Sequence, residues 1–442
     1  MHWMTPEDRR KLGQARRKQV GRQDHCTLNC KTRRAPALEL LRHASRGRVP
    51  SLVKLKFELM AASPFAYFRG AVPVMAADLA VLPNTGIHTQ ICGDAHVRNL
   101  GAFAAPDGRL VFDINDFDET IHAPFEWDLK RLAASLVVAG REAGHKDTAA
   151  HDAVAQCATH YAALMSTLAQ MPSIEMSRFQ VHRMGDVQPI HAALLKAERA
   201  TPLHTLDHLT EPESDKPDAP RRFKQQKPIL SRIGGRQAAE ILAALVPYRS
   251  TLEPQRAHLL SLYRPIDVAF KVVGTGSVGL RDYCIYFEGN GRGDPLFLQI
   301  KEETASAYAP YLPDAHPPHH NGQRVVEGQR AMQLQSDPFL GSTHIGGRDF
   351  LVRQLNDHKA SIELDDLAGS GLAAFAQVCG ELLARSHARA GDPWMINGYL
   401  GSGSRFAESL AEFGAAYAGQ TEKDWQALRK ALRSRKSARS KS

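Results

Sequence analysis

The chain is 442 residues long, with 43% hydrophobic and 23% charged residues, which excludes collagen-like, wholly disordered and disulfide-scaffold proteins and leaves room for about two to four domains. Its net charge of +9 sits in the ends: residues 1–34 hold ten Lys and Arg against Glu7, Asp8 and Asp24, and residues 429–442 hold seven Lys and Arg and no acid. The body between them is mildly acidic and has no global need for a polyanion.

Residues 1–49 carry scattered charge, Gly and Pro with little periodicity and are expected to be a flexible basic segment. No basic-then-apolar leader follows Met1, and six cysteines in so long a chain predict free thiols and a cytoplasmic protein. His25, Cys26 and Cys30 make half of a metal-binding pattern, but no second Cys/His pair follows at zinc spacing. An amphipathic run begins at Ser51 and continues through Leu59. Ile87–Cys92 and Arg109–Phe117 read as strands on either side of the Pro106-Asp107-Gly108 turn. From Trp127 the pattern is helical, with Leu129, Leu132, Leu136 and Val137 on one face, and a second helix is expected near 149–168. The longest apolar stretches, such as Leu132–Ala139, fall far short of the ~20 residues of a membrane-spanning helix.

Residues 211–228 are charged and Pro-rich and predict a linker or exposed loop. After a helix over Gln237–Val246, the β-rich runs Val268–Val273, Tyr283–Phe287 and Leu296–Ile300 predict a small antiparallel sheet. His316, His319 and His320 fall in a Pro-rich loop expected to be solvated. Val325–Gln335 reads as a helix, Phe350–Leu355 as a strand and Leu372–Arg389 as a helix ended by Gly391. The expected organisation is a basic segment 1–49, a catalytic half 50–210, a linker or exposed loop 211–228, a sheet lobe 229–362, returning helices 363–428 and a basic tail 429–442.

Three motifs carry chemistry. Gly274, Gly276 and Gly279 form a G-x-G-x-x-G between two strand-like runs, which excludes the strand-to-helix context of a dinucleotide fold and predicts a hairpin loop whose backbone N–H groups, with Ser277, lie over nucleotide phosphates. Lys301, on the following strand, stands where a lysine would reach those phosphates, and Glu327 on the next helix is the candidate to orient it, with Glu302 and Glu303 as rivals. Upstream, Asp94 and Asn99 have the D-x-x-x-x-N spacing of a phosphotransferase loop, in which the Asp accepts the proton of an attacking hydroxyl and the Asn holds magnesium. The hydrophobic strand that follows ends in carboxylates, of which Asp116 is the expected second metal ligand and Asp113 the alternative. Asp392 and Asn397 repeat the spacing, but no strand ending in Asp follows them. Asp128, opening the next helix, is expected to anchor the Asp94 loop.

These residues, together with Ser63-Pro64-Phe65-Ala66-Tyr67-Phe68-Arg69-Gly70, Trp127 to Leu132 and Arg353-Gln354-Leu355, resemble an uncharacterised bacterial family, domain of unknown function 2252, over residues 50–425. More distantly they resemble the aminoglycoside-phosphotransferase branch of protein-kinase-like folds. The expectation is an α+β, kinase-like two-lobe protein, circularly permuted so that the catalytic loop precedes the glycine loop. It would bind ATP and Mg²⁺ and phosphorylate a hydroxyl-bearing acceptor. Two rival expectations are a metal-dependent hydrolase built on Asp94, His96, Asp113 and Asp116, and a non-catalytic module binding nucleotide, protein or nucleic acid, the last through the basic tails.

Overall fold

The structure, a computed structural model, describes residues 3–439 apart from 182, 217–218, 292, 313–317 and 356–357. It is an α+β protein, and its order begins well before residue 50. Helix α1 (Pro6–Arg16) starts with Pro6 behind a Thr5 cap whose side chain accepts from the Asp8 N–H. Four further helices follow: α2 (Ala37–His43), α3 (Pro50–Met60), α4 (Pro64–Gly70) and α5 (Val72–Leu79). Helix α1 lies so close to the later helix at 393–400 that a Cβ on Gly13 would stand 2.0 Å from the Met395 carbonyl oxygen. Arg17 and Arg22 donate to the carbonyls of Tyr399 and Leu400 at 2.8 and 2.9 Å. The basic residues expected to flutter in solvent are therefore spent on the carbonyl end of a helix, where the macrodipole favours cations. His25 is fully buried and meets the Tyr399 hydroxyl at 2.7 Å, and all six cysteines are free thiols.

The middle of the chain builds strands β1 (His88–Ile91), β2 (Leu100–Ala104), β3 (Leu110–Ile114) and β4 (Ile121–Pro124), then helices α6 (Glu126–Glu142) and α7 (Asp147–Gln170). Strand β1 pairs with β4 and β2 with β3, both antiparallel. Helices α8 (Ser173–Arg178), α9 (Gln188–Arg199) and α10 (Pro202–Leu209) lead to the segment expected to be a linker or exposed loop, which is largely exposed and contains the short hairpin β5 (Thr210–Pro212) and β6 (Arg221–Phe223). Phe223 is fully buried against Tyr286 and Phe297, and its N–H donates to Asp267 at 2.8 Å.

Next come β7 (Leu230–Ile233), α11 (Gly235–Ala243), α12 (Leu245–Arg249), α13 (Pro254–Ser261), β8 (Arg264–Lys271), β9 (Asp282–Glu288), β10 (Pro295–Glu303), α14 (Asn321–Met332), β11 (Gly341–Ile345) and β12 (Arg348–Gln354). The strands form one antiparallel sheet in the order β11-β12-β10-β9-β8-β7. Period-2 alternation divides β10: Leu296, Leu298 and Ile300 join a core with Ile241 and Tyr248 of α11 and α12, whereas Phe297, Gln299, Lys301 and Glu303 share the other face. The chain closes with the two-residue strand β13 (Ala360–Ser361), then α15 (Gly371–Ala390), α16 (Pro393–Leu400) and α17 (Ser404–Arg439). Helices α7 and α15 cross closely, because a Cβ on Gly380 would lie 2.1 Å from the Cys157 carbonyl oxygen. The basic tail continues α17 as helix to Arg439, with Leu428 buried against Leu41, Phe57 and Tyr67. Among the described residues no helix is long and apolar enough to cross a membrane.

Candidate functional site

Strand β1 delivers the chain into a turn that only glycine can make: Gly93 has φ +80°, and a Cβ there would stand 2.3 Å from the Glu119 carbonyl oxygen. Asp128, in the first turn of α6, accepts from the Cys92 and Gly93 N–H groups at 2.8 and 2.9 Å, so it anchors the loop. Arg131, one turn further along α6, donates to Asp94 Oδ1 at 2.8 Å. Burial, only partly offset by Arg131, pushes the Asp94 carboxyl up to about 7. His96 Nδ1 accepts from the Arg98 N–H, which leaves the proton on Nε2, 3.8 Å from Asp94 Oδ2. Burial, with Arg69 and Arg131 nearby, holds that imidazole neutral, well below its usual range. Asn99 folds back to donate to the Asp94 carbonyl at 2.9 Å.

The strand after this loop separates its carboxylates. Asp113 points into the helical core, where it meets Arg385 of α15 at 2.5 Å with both side chains buried. It is thus an ion-pair partner remote from the cleft, a correction to its candidacy as metal ligand that also leaves the hydrolase cluster without one of its four members. Asp116, beyond the end of β3, lines the cleft with Asp94 and Asn99. Burial opposes its ionisation, but Lys301, Arg353 and Lys359 outweigh burial and hold it well below the usual carboxylate range. Asp118, in the position where a D-F-G motif has glycine, takes both Lys301 Nζ and, at 3.2 Å, the Ser277 hydroxyl on its Oδ2. Its Oδ1 is buried without a hydrogen-bond partner, as is Glu303 Oε1. Burial lowers the Lys301 ammonium, yet Asp116, Asp118 and Glu303 together raise it above its ordinary value.

Glu327 is not the partner of Lys301. It is exposed and accepts from Gln323 one turn back on α14 at 2.7 Å. Helix α14 turns Arg324 inward instead, to the carbonyls of Asp118 and Thr120 at 2.7 and 2.5 Å. The acids beside the lysine come from its own strand, Glu303, and from the loop after β3. The second D-x-x-x-x-N is a helix start: Asp392 caps α16 by accepting from Trp394 and Met395. His320 likewise caps α14 through Nδ1, while Nε2 reaches the Thr343 carbonyl. Both ring nitrogens are therefore spent, although His344 and Asp349 lie close by. His319 is exposed, and His316 lies outside the described residues.

The glycine loop joins β8 to β9, with Gly274 and Gly279 at φ +58° and +92°. Four of its carbonyls are held by α3 and the turn before it. Lys56 of α3 donates to Thr275 and Gly276 at 3.1 and 2.6 Å, Arg48 donates to Val278, and the Val49 N–H donates to Gly279, both at 2.7 Å. Planar trans peptides send N–H opposite to C=O, so the N–H groups of Gly276 and Ser277 point away from α3. Gly274–Ser277 of the loop, Asp94, Asn99 and Asp116 line one cleft, and Arg48, Lys56 and Arg69 from the segment before β1 form another of its walls.

Sequence reading found no role for that wall. One signal was present: Leu52, Lys56 and Met60 recur at i, i+4 and i+8, so Lys56 occupies the apolar stripe of α3, and burial holds its ammonium well below the usual range. A family model described as "Uncharacterized protein conserved in bacteria (DUF2252)" matches residues 48–431, most of the chain, from the Arg48 turn to the last helix. No curated protein and no solved structure matches.

Proposed function

The chain is a member of the bacterial family DUF2252, and we propose that it is a kinase-like phosphotransferase that transfers the terminal phosphoryl group of Mg-ATP to a hydroxyl acceptor. The observation that carries this reading is the meeting, in one cleft, of the glycine loop and the Asp94 loop with Asp116 and Asp118, where Lys301 bonds an acid 183 residues away in the chain. Supporting it, the sheet runs glycine-loop hairpin, lysine strand, helix, two strands, as in a kinase small lobe. Circular permutation accounts for the order of the motifs, and the end of α15 lies against β1, with the Thr89 hydroxyl 3.4 Å from the His387 carbonyl.

Magnesium fits the acidic side of the cleft. Asp118 Oδ1 and Glu303 Oε1 are buried oxygens with no donor, and carboxylates crowded in this way favour a cation. Asp116 and Asn99 would hold the ion beside them, where it would neutralise charge on the phosphate oxygens. Lys301 and the N–H groups of Gly276 and Ser277 would bind those oxygens, and a phosphate there must displace the Asp118 carboxylate from Lys301 and Ser277. Arg131 keeps Oδ1 of Asp94 occupied, which leaves Oδ2 for the acceptor hydroxyl. With its carboxyl near 7, Asp94 is suited to accept the acceptor hydroxyl's proton at neutral pH.

A thermal-shift panel of nucleotides with and without Mg²⁺ tests the reading. Mg-ATP at 100 Kd should add about 2.7 kcal/mol of stability, and Lys301→Met should remove most of it. No stabilisation by any nucleotide in the presence of Mg²⁺ would reject the proposal.

A further inference from the structure

The segment Ser63–Gly70 forms α4, and almost every residue type in it has a visible structural use. The Ser63 hydroxyl caps the helix by accepting from Ala66, the Phe65 N–H meets Glu142, and a Cβ on Gly70 would stand 2.8 Å from Met60. Phe68 receives Arg131 twice, at its carbonyl oxygen at 2.8 Å and over its ring at 3.8 Å. Two polar groups lack one, the buried Tyr67 hydroxyl and the guanidinium of Arg69. The Arg69 side chain lines the cleft with Asp94, Asp116 and the glycine loop, yet it makes no hydrogen bond or ion pair among the described residues, and its Nε is buried without a partner.

Two guanidinium groups thus stand near Asp94 with opposite bonding. Arg131 is fully buried and committed to Asp94, to Phe68 and to the Met75 sulfur. Arg69 stays uncommitted, although its charge is felt by Asp94, Asp116 and Arg98. Its backbone carbonyl would lie 3.4 Å from a Cβ on Gly276, so its own main chain abuts the tip of the glycine loop, while its side chain lines the same cleft as Asp94 and Asp116 and lies within electrostatic reach of both. That span is the gap between the proposed phosphate site and the proposed base. A planar fork of donors held in such a gap suits the oxygens of an anion passing across it.

Resting on the phosphotransferase reading, we infer that Arg69 is a catalytic residue that contacts the transferred phosphoryl group. In the step it serves, the acceptor hydroxyl oxygen bonds to the terminal phosphorus and its proton passes to Asp94. The bond from that phosphorus to the oxygen bridging to the β-phosphate breaks, and the bridging oxygen leaves with the electron pair on ADP. Arg69 donates to the equatorial oxygens of the phosphoryl group while it is bonded to neither side fully, an interaction available only during transfer.

The test uses the full chain and a transition-state mimic, so no acceptor has to be known. Mg-ADP affinity is measured by calorimetry with and without fluoroaluminate for the wild type, Arg69→Ala and Arg69→Lys. The expected result is that Arg69→Ala binds Mg-ADP within about threefold of the wild type but loses about 10²- to 10³-fold of the tightening that fluoroaluminate confers, with Arg69→Lys restoring only a small part. Unchanged tightening in Arg69→Ala overturns the assignment, as would be the case if Arg69 instead held an anionic group of the acceptor. Wild-type binding of Mg-ADP without any tightening also overturns it while leaving the nucleotide site standing. Absence of Mg-ADP binding by the wild type overturns the phosphotransferase reading and this inference with it. Should Arg69→Ala fail to fold, Arg69→Lys carries the comparison alone, and full tightening in that variant overturns the need for a guanidinium.

Discussion

The chain contains D-x-x-x-x-N twice, and the two copies have different lives. Asp94 sits in a loop after a strand, half-buried, held at one oxygen by Arg131, with Asn99 folded back onto its carbonyl. Asp392 sits at the start of α16, where its carboxylate accepts two helix N–H groups and meets Arg9 at 3.4 Å, while Asn397 is a buried residue within that helix. Spacing alone cannot separate them, because a five-residue offset is met equally by a loop that doubles back and by one and a half turns of helix. What separates them is the neighbour each aspartate meets. Asp94, held by Arg131, lines the cleft beside the glycine loop, whereas Asp392 spends its Oδ1 on the first N–H groups of α16 and on Arg9, away from that cleft.

The largest effect expected from this contrast is catalytic. Asp94→Asn should lower Mg-ATP turnover by about 10²- to 10⁴-fold with nucleotide binding retained, whereas Asp392→Asn should leave turnover unchanged. Equal losses in the two variants, in a steady-state assay, would make the two loops equivalent after all.

The carboxylates after the first loop sharpen the comparison. Asp113→Ala strands Arg385 in the core and should cost about 3–5 kcal/mol of stability by urea denaturation, with the Mg²⁺ dependence of nucleotide binding intact. Asp116→Ala should do the reverse, sparing stability and removing the Mg²⁺ dependence. The opposite ranking in a magnesium titration would reassign the ligand.

A third consequence is read in pH. The Asp94 carboxyl lies near 7 in the folded chain and near ~3.9 when unfolded, so between those values the native state binds more protons. Stability attributable to Asp94 is therefore complete at low pH and is lost as pH rises from about 4 to about 7. Asp94→Asn should remove that downward slope from the pH profile of the melting temperature measured without Mg²⁺; an unchanged slope would place Asp94 in a more solvated setting. Turnover should rise with pH through the same region, because the base must be ionised.

The smallest effect belongs to the cap. Asp392→Ala should cost about 0.5–2 kcal/mol in thermal stability and nothing in nucleotide affinity.

Much of the local structure was legible. Apolar residues at helical spacing marked α7 and α15, and β-rich runs on either side of Gly274–Gly279 marked a hairpin loop, because helix and strand periods are written in neighbouring residues. The Asp94 loop, followed by a hydrophobic strand and then carboxylates, was legible for the same reason, as was the anchoring role of Asp128. Other assignments depended on which side chain meets which across long stretches of chain. Glu327 and Arg324 are three residues apart on one helix, yet only docking against the Asp118–Thr120 loop sends Arg324 inward and leaves Glu327 in solvent. Asp113 differs from Asp116 by the direction in which a strand releases its last side chains, and Arg385, which claims Asp113, lies 272 residues away.

The basic first segment shows the limit most plainly. Composition reads ten positive charges as a solvated end, because charge without periodicity buries nothing by itself. The fold supplies partners that make burial and order favourable: carbonyls of α16 for Arg17 and Arg22, Asp78 with Asp424 for Arg33 and, beyond those ten charges, carbonyls of the glycine loop for Arg48 and Lys56. Those partners are fixed by packing between elements hundreds of residues apart, which neighbouring residue types do not encode, and so the wall of the cleft that carries Arg69 came into view only with the tertiary structure.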